Sequence, residues 1–259
     1  MKRCFIFGLG YSAGRIALAL EARGWEVIST GRAGTLGFDD TANVRLALAD
    51  ADAVLSSVPP SADGDPVLTA FGPDLAGHKA VYLSSTGVYG DTDGAWVDES
   101  APTGAGRRTA RADADALWLE RGARVLRLPG IYGPGRSALD RVREGRAHRI
   151  DLPAQVFSRV HVDDIVSGAL LALDAPAGAY NLADDEPASQ NAVIEEACRL
   201  LGMPTPPLQT LDEAGLSPMA HAFYAENRRV ASGKAKRVLG WRPRYPSYRE
   251  GLRSLLAAR

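Results

Sequence analysis

The segment that most constrains the fold is residues 4–14, CFIFGLGYSAG. A short apolar run from Cys4 to Phe7 meets Gly8 and Gly10, and Ala13-Gly14 opens a helical pattern. Gly8 permits a tight turn, and Gly10 lets the backbone approach a pyrophosphate with no Cβ in the way. A small residue at position 13 allows close helix–strand packing. The helix start then offers amide donors and a favourable dipole to phosphate. A strand, glycine turn and helix in this order begin a βαβ unit, and the rest of the chain keeps that rhythm. Apolar runs at 3–7, 25–29, 35–38, 52–57, 79–84 and 123–128 read as strands. Helical patterns fall at 11–22, 41–49, 66–76, 108–121, 136–145, 163–174, 190–201 and 247–257. Alternation of this kind predicts an α/β Rossmann fold, a doubly wound parallel sheet with right-handed crossovers. After about residue 176 the rhythm changes. We expect a dinucleotide-binding domain over 1–176 and a small substrate-side lobe over 177–259, to which 130–159 is a further candidate contributor.

Composition narrows the function classes. A formal net charge of −1 gives no global case for nucleic acid or an anionic membrane as partner. Two cysteines, Cys4 and Cys198, support neither a disulfide scaffold nor a thiolate metal site, and the four His are scattered, so no metal is expected. No apolar run approaches the ~18 residues of a membrane span. The run after Met1-Lys2-Arg3 is shorter than the ~7–15 residues of a leader's apolar core. A cytoplasmic protein is the expectation. Four Lys among 30 basic residues leave an Arg-rich chain, which lowers the information in any single Arg.

The cofactor side is read from the glycine turn, with Gly8, Gly10, Tyr11, Ser12 and Ala13 as candidate contacts. The second strand ends in Gly31-Arg32, where an NAD site usually has Asp or Glu for the ribose hydroxyls. Arg32 is suited instead to a 2′-phosphate. NADP is therefore expected, with NAD as the alternative. Asp39 is a candidate adenine contact; its other reading is a helix N-cap, for which Asp40 competes.

Residues 83–90, LSSTGVYG, place two serines and a threonine at the end of a buried strand. Together with FGLGYSAG, RLPGIYGPGR, SRVHVDDIVSGALLAL, AYNLADDEP and the terminal LGWRP, this ordered set resembles the extended short-chain dehydrogenase/reductase superfamily, in its NAD-dependent epimerase/dehydratase group. The resemblance covers nearly the whole chain. It implies a Rossmann domain with a C-terminal substrate lobe, a nicotinamide cofactor and a small-molecule substrate. It also implies that Ser85, with Thr86 as neighbour, hydrogen-bonds the reacting oxygen. Ser57, Ser84 and Pro129 fall at cofactor-side positions, and His161 falls at a hinge position, where its expected role is to order Asp163. Asp163 itself reads as the N-cap of the following helix.

One part of the family pattern is missing. Its Tyr-x-x-x-Lys pair aligns with Arg107 and Arg111, and no Tyr lies between Tyr89 and Tyr132. Arg111 retains a charge for the ribose, whereas a guanidinium at 107 does not exchange protons near neutrality. Tyr89 and Tyr132 are the candidate replacements, each with core packing as its other reading. Two guanidiniums beside the cofactor suit an anionic substrate. The resemblance thus implies an atypical oxidoreductase or epimerase for a sugar nucleotide or another small hydroxyl or carbonyl compound. The alternative is a catalytically silent NADP(H) sensor. Family members often pair through helices equivalent to 66–76 and 108–121, which makes a homodimer the expected assembly if the chain is not monomeric.

Overall fold

A computed structural model describes residues 1–106 and 109–258, except for the side chains of 219 and 220. Arg107, the position aligned with the family Tyr, thus lies outside the described residues. Six parallel strands form the central sheet: β1 (Arg3–Phe7), β2 (Glu26–Ser29), β3 (Ala53–Ser56), β4 (Lys79–Ser85), β5 (Arg124–Leu128) and β6 (Gly178–Asn181). Their spatial order is β6-β5-β4-β3-β1-β2. The order reverses between β1 and β3, and an open parallel sheet binds ligands in the crevice at such a point.

Most strand residues are buried because helices cover both faces; the edge strand β2 is mainly half-buried. On one face Ile6, Leu55, Val81 and Leu126 pack against α1 (Tyr11–Glu21) and α6 (Val162–Ala172). On the other, Phe5, Phe7, Tyr82 and Val125 meet α2 (Thr41–Ala49), α3 (Pro66–Phe71) and α4 (Thr109–Glu120). A separate core joins α5 (Ala138–Arg143), α7 (Gln190–Leu201) and α9 (Tyr248–Ala257) through Leu139, Ile194 and Leu252. The short α8 (Pro218–Phe223) lies in the long connection before the last elements.

Four expectations change. The apolar run 35–38 is not a strand; it is reduced to a single parallel bridge, Thr30 to Leu36. Thr35 Oγ1 accepts from the Ser29 amide at 3.0 Å and bends the chain there. The helix expected over 66–76 stops at Phe71, and a 3₁₀ turn at Pro73–Leu75 follows, since Pro73 supplies no amide to continue it. Gly178–Asn181 pairs with β5, so the sheet runs past residue 176, where the change of rhythm put a boundary. Finally, α6 is capped by His161, whose Nδ1 accepts from the Asp163 amide at 3.2 Å; Asp163 is inside the first turn.

Candidate active site

The site forms where the carboxyl ends of β1, β3, β4 and β5 meet. Gly8 has φ +81°, and a Cβ there would come within 2.9 Å of the Val58 side chain. Glycine is therefore demanded both by conformation and by space. The Ser57 hydroxyl donates to the Gly8 carbonyl at 2.5 Å and ties β3 to the turn. Gly10 differs: a Cβ there would meet nothing within 4 Å, so its backbone faces open space. Gly10 is also the N-cap of α1 and offers no side chain to the first-turn amides. Ala13 is fully buried, as the close packing of α1 on the sheet requires. A bare backbone beside an uncapped helix start fits a dinucleotide pyrophosphate.

A cleft of about 510 Å³ opens from this turn. Gly10, Tyr11, Ser12, Ala13 and Ser57 line one end, and Ser84, Ser85, Thr86, Arg111 and Pro129 line its middle. The structure thus brings together most of the residues singled out from the sequence. Gly8 is not among the residues that line the cleft. Arg32 and Asp39 are exposed beyond the end of β2 and do not line it. Asp40, not Asp39, caps α2, accepting from the Asn43 amide.

Adjacent hydroxyls at the end of β4 face different ways, as alternation along a strand dictates. Ser84 Oγ donates to Asp115 at 2.7 Å, below the cleft. Ser85 Oγ accepts from the Gly87 amide at 3.1 Å, which fixes the 3₁₀ turn Thr86–Tyr89 and leaves the hydroxyl hydrogen available. Arg111 donates to the Tyr82 hydroxyl at 2.8 Å. Tyr82 is itself stacked on Trp118 and pushed up to about 12 by burial. The guanidinium at the family's Lys position is thereby held by a buried phenol.

Neither replacement tyrosine reaches this cleft. Tyr89 is buried; its hydroxyl donates to Asn181 at 2.8 Å and accepts from Arg127 at 3.0 Å. Tyr132 is buried with its ring 5.1 Å from His161, and burial raises its hydroxyl far above the ordinary value. It borders a second chamber instead. Both tyrosines thus take the core-packed alternative, and neither is among the residues that line the cleft with Ser85.

Sequence reasoning missed the other wall. Phe157, Phe223, Glu226 and Arg228 line the cleft from the C-terminal half. Arg228 pairs with Glu226 at 2.9 Å and donates to the Gly90 carbonyl, anchoring this wall to the loop after β4. The spacing Glu-x-Arg in a loop carries no signal of that. Also missed was the buried ion pair beneath the floor, where Arg127 meets Asp115 at 2.6 Å.

No family model matches the chain. A functionally unknown conserved protein from Silicibacter pomeroyi has a structure that superposes with a TM-score of 0.88. It is 38% identical over 100% of this chain and 99% of its own. A Streptomyces 3-diazoavenalumate denitrifying reductase is 36% identical over 140 residues, 49% of this chain; the match spans only 45% of the reductase's length. A human epimerase family protein solved with NADPH shares the fold at a TM-score of 0.76 and 17% identity, over 98% of this chain and 99% of that one. The chain belongs to one family with the Silicibacter protein and shares the fold of the epimerase/dehydratase structures.

Proposed function

We propose that the chain binds NADP(H) along the carboxyl ends of β1 and β4 and reduces or oxidises a small carbonyl or hydroxyl compound held beside Ser85. One observation carries this reading: the open face of Gly10 and the uncapped start of α1 share a single cleft with Ser85 and Arg111. A reductase among the relatives and NADPH in the human neighbour support it. The nicotinamide, when bound, supplies or takes up hydride. The Ser85 hydroxyl donates to the substrate oxygen, and Arg111 adds a fixed positive charge where that oxygen turns anionic. Because Arg111 does not release a proton near neutrality, the oxygen takes its proton from water entering the open cleft. Forgoing a positioned acid costs roughly 10²–10⁴ in rate, so turnover is slow. Arg32, exposed at the end of β2, binds the 2′-phosphate.

A second reading, a silent NADP(H) sensor, is favoured by one fact: among the described residues lining the cleft there is no His and no Lys. Titration with NADPH and NADH, followed by a hydride-transfer screen on a carbonyl and sugar-nucleotide panel, separates the two. We expect NADPH to bind more tightly and a slow signal with at least one carbonyl. Binding without turnover across the panel moves the assignment to the sensor. Failure of both dinucleotides at millimolar levels ends both readings. Arg32→Asp should weaken NADPH by about tenfold and spare NADH; equal loss removes the 2′-phosphate assignment.

A further inference from the structure

Beside the cleft lies a second chamber of about 570 Å³, within the usual range of small-molecule sites. Gly130, Ile131, Arg136, Phe157 and Phe223 border both spaces, so the chamber adjoins the cleft that Ser85 lines. Its body is aromatic and aliphatic. Phe157 stands 5.5 Å from both Phe223 and Tyr224, while Val193 and Leu252 supply the far wall.

Its charge is lopsided. Arg136 and Arg141 border the chamber and make no ion pair among the described residues. Of the acids nearby, Glu144 pairs with Arg146, and Asp140 keeps its charge but turns to the Ser137 hydroxyl and amide in a capping box; among the described residues four arginines border the chamber against these two carboxylates. Arg159, buried in the floor, spends its N–H groups on the carbonyls of Phe157, Ala188 and Ser189 and on Gln190, none of which cancels its charge. The carboxyl facing it, Asp184, is buried without a well-formed hydrogen bond. Burial pushes it up to about 8, with Arg159 pulling the other way.

Several hydrogen-bonding groups that border the chamber are already committed within the protein: the Ser137 hydroxyl donates to Asp140 and the Tyr132 hydroxyl to the Ser247 carbonyl. Among the described residues that border it there is no Asn, and Gln190 accepts from Arg159. A site that discriminates hydroxyls and base edges needs dedicated donors and acceptors for them.

We infer that the second chamber takes an organic acid with a planar, apolar body, its carboxylate held by Arg136 and Arg141 and its ring among Phe157, Phe223 and Tyr224. This deepens the reading above and rests on it for the reaction: the acid's far end reaches Ser85, and the substrate is not a nucleotide sugar. Guanidinium forks match a carboxylate, and the rings supply apolar area at low entropy cost.

The test is calorimetric titration of the full-length protein, with and without NADPH. The probes are 2-naphthoate and indole-3-acetate, their primary amides, and UDP-glucose. We expect both acids to bind and both amides to be weaker by about tenfold or more. Arg141→Gln should weaken the acids by a similar factor and leave NADPH affinity unchanged. Arg143→Gln, on the same helix but outside the chamber, should change neither. The inference is overturned if neither acid binds, if acids and amides bind alike, or if UDP-glucose binds more tightly than the acids. Acid binding that depends on Arg141 in a protein that ignores NADPH would keep the chamber and remove the hydride-transfer reading. NADPH binding with no acid binding would do the reverse.

Discussion

At the scale of single residues, the glycine turn was legible because its demands are local. Gly8 must have positive φ and no side chain, and the sequence places it directly after an apolar strand. Gly8→Ala is expected to cost about 1–3 kcal/mol in backbone strain, with further loss from the Val58 clash. Urea unfolding checks this, and an unchanged midpoint would show that the turn relaxes freely. The orientation of neighbouring hydroxyls was not legible. Ser84 and Ser85 are chemically identical in the sequence, and only the pleat of β4 sends one to Asp115 and the other to the cleft. Tyr132 misled for a related reason: its position after β5 suggested the cleft, but the next strand pair turns its ring onto His161.

At the scale of elements, period and punctuation did most of the work. Pro66 after Asp65 marks the start of α3, and the side chain of Asp65 accepts from the amides of Val67 and Leu68 at 2.9 and 3.0 Å. The sequence does not reveal that its other oxygen accepts from Trp118 Nε1 at 2.9 Å, which fastens α3 to α4. Asp65→Ala should therefore cost more than an ordinary cap. About 1 kcal/mol is expected for the helix start and about 1–3 for the indole left unpaired in the core. A loss under 1 kcal/mol in chemical denaturation would mean that water replaces the carboxylate. Where the expected elements failed, side chains overrode pattern: Thr35 bends residues 35–38 away from the sheet, and Pro73 ends α3.

At the scale of the whole molecule, the alternating pattern specified the layers but not how late the sheet is completed. β6 enters beside β5 and brings Asn181, whose amide group accepts from Tyr89 and donates to the Ala231 carbonyl. Long-range partners of this kind leave no local trace. Neither does the buried charge that shapes the response to pH. Asp184, pushed up to about 8, keeps its proton in the folded chain across a range where the unfolded chain has lost it. The unfolded state then binds fewer protons, so this contribution is complete below about pH 4 and is lost as pH rises through 8. His161 acts in the opposite sense: burial pushes it down, so the unfolded chain takes up more protons as pH falls below the ordinary imidazole range, and stability drops there. Thermal unfolding should show a melting temperature that declines from about pH 6.5 to 8 and flattens in Asp184→Asn. An equal decline in both proteins would assign the slope to other groups.

Tyr11 joins these scales. It borders the cleft at the glycine turn, its hydroxyl donates to the Pro134 carbonyl at 3.1 Å, and Arg136 lies 5.8 Å from its ring. The same side chain lies at the glycine-turn end of the cleft and near Arg136, which also borders the second chamber. The kinetic corollary of the proposed function is an order of addition: a dinucleotide seated against Tyr11 would preset Arg136 for the second ligand. In steady-state measurements the wild-type protein should follow a compulsory sequence, dinucleotide first. Tyr11→Phe, which keeps the ring but frees the loop, should drift toward random order. Product-inhibition patterns identical in the two proteins would show that the two ends of the site fill without reference to each other.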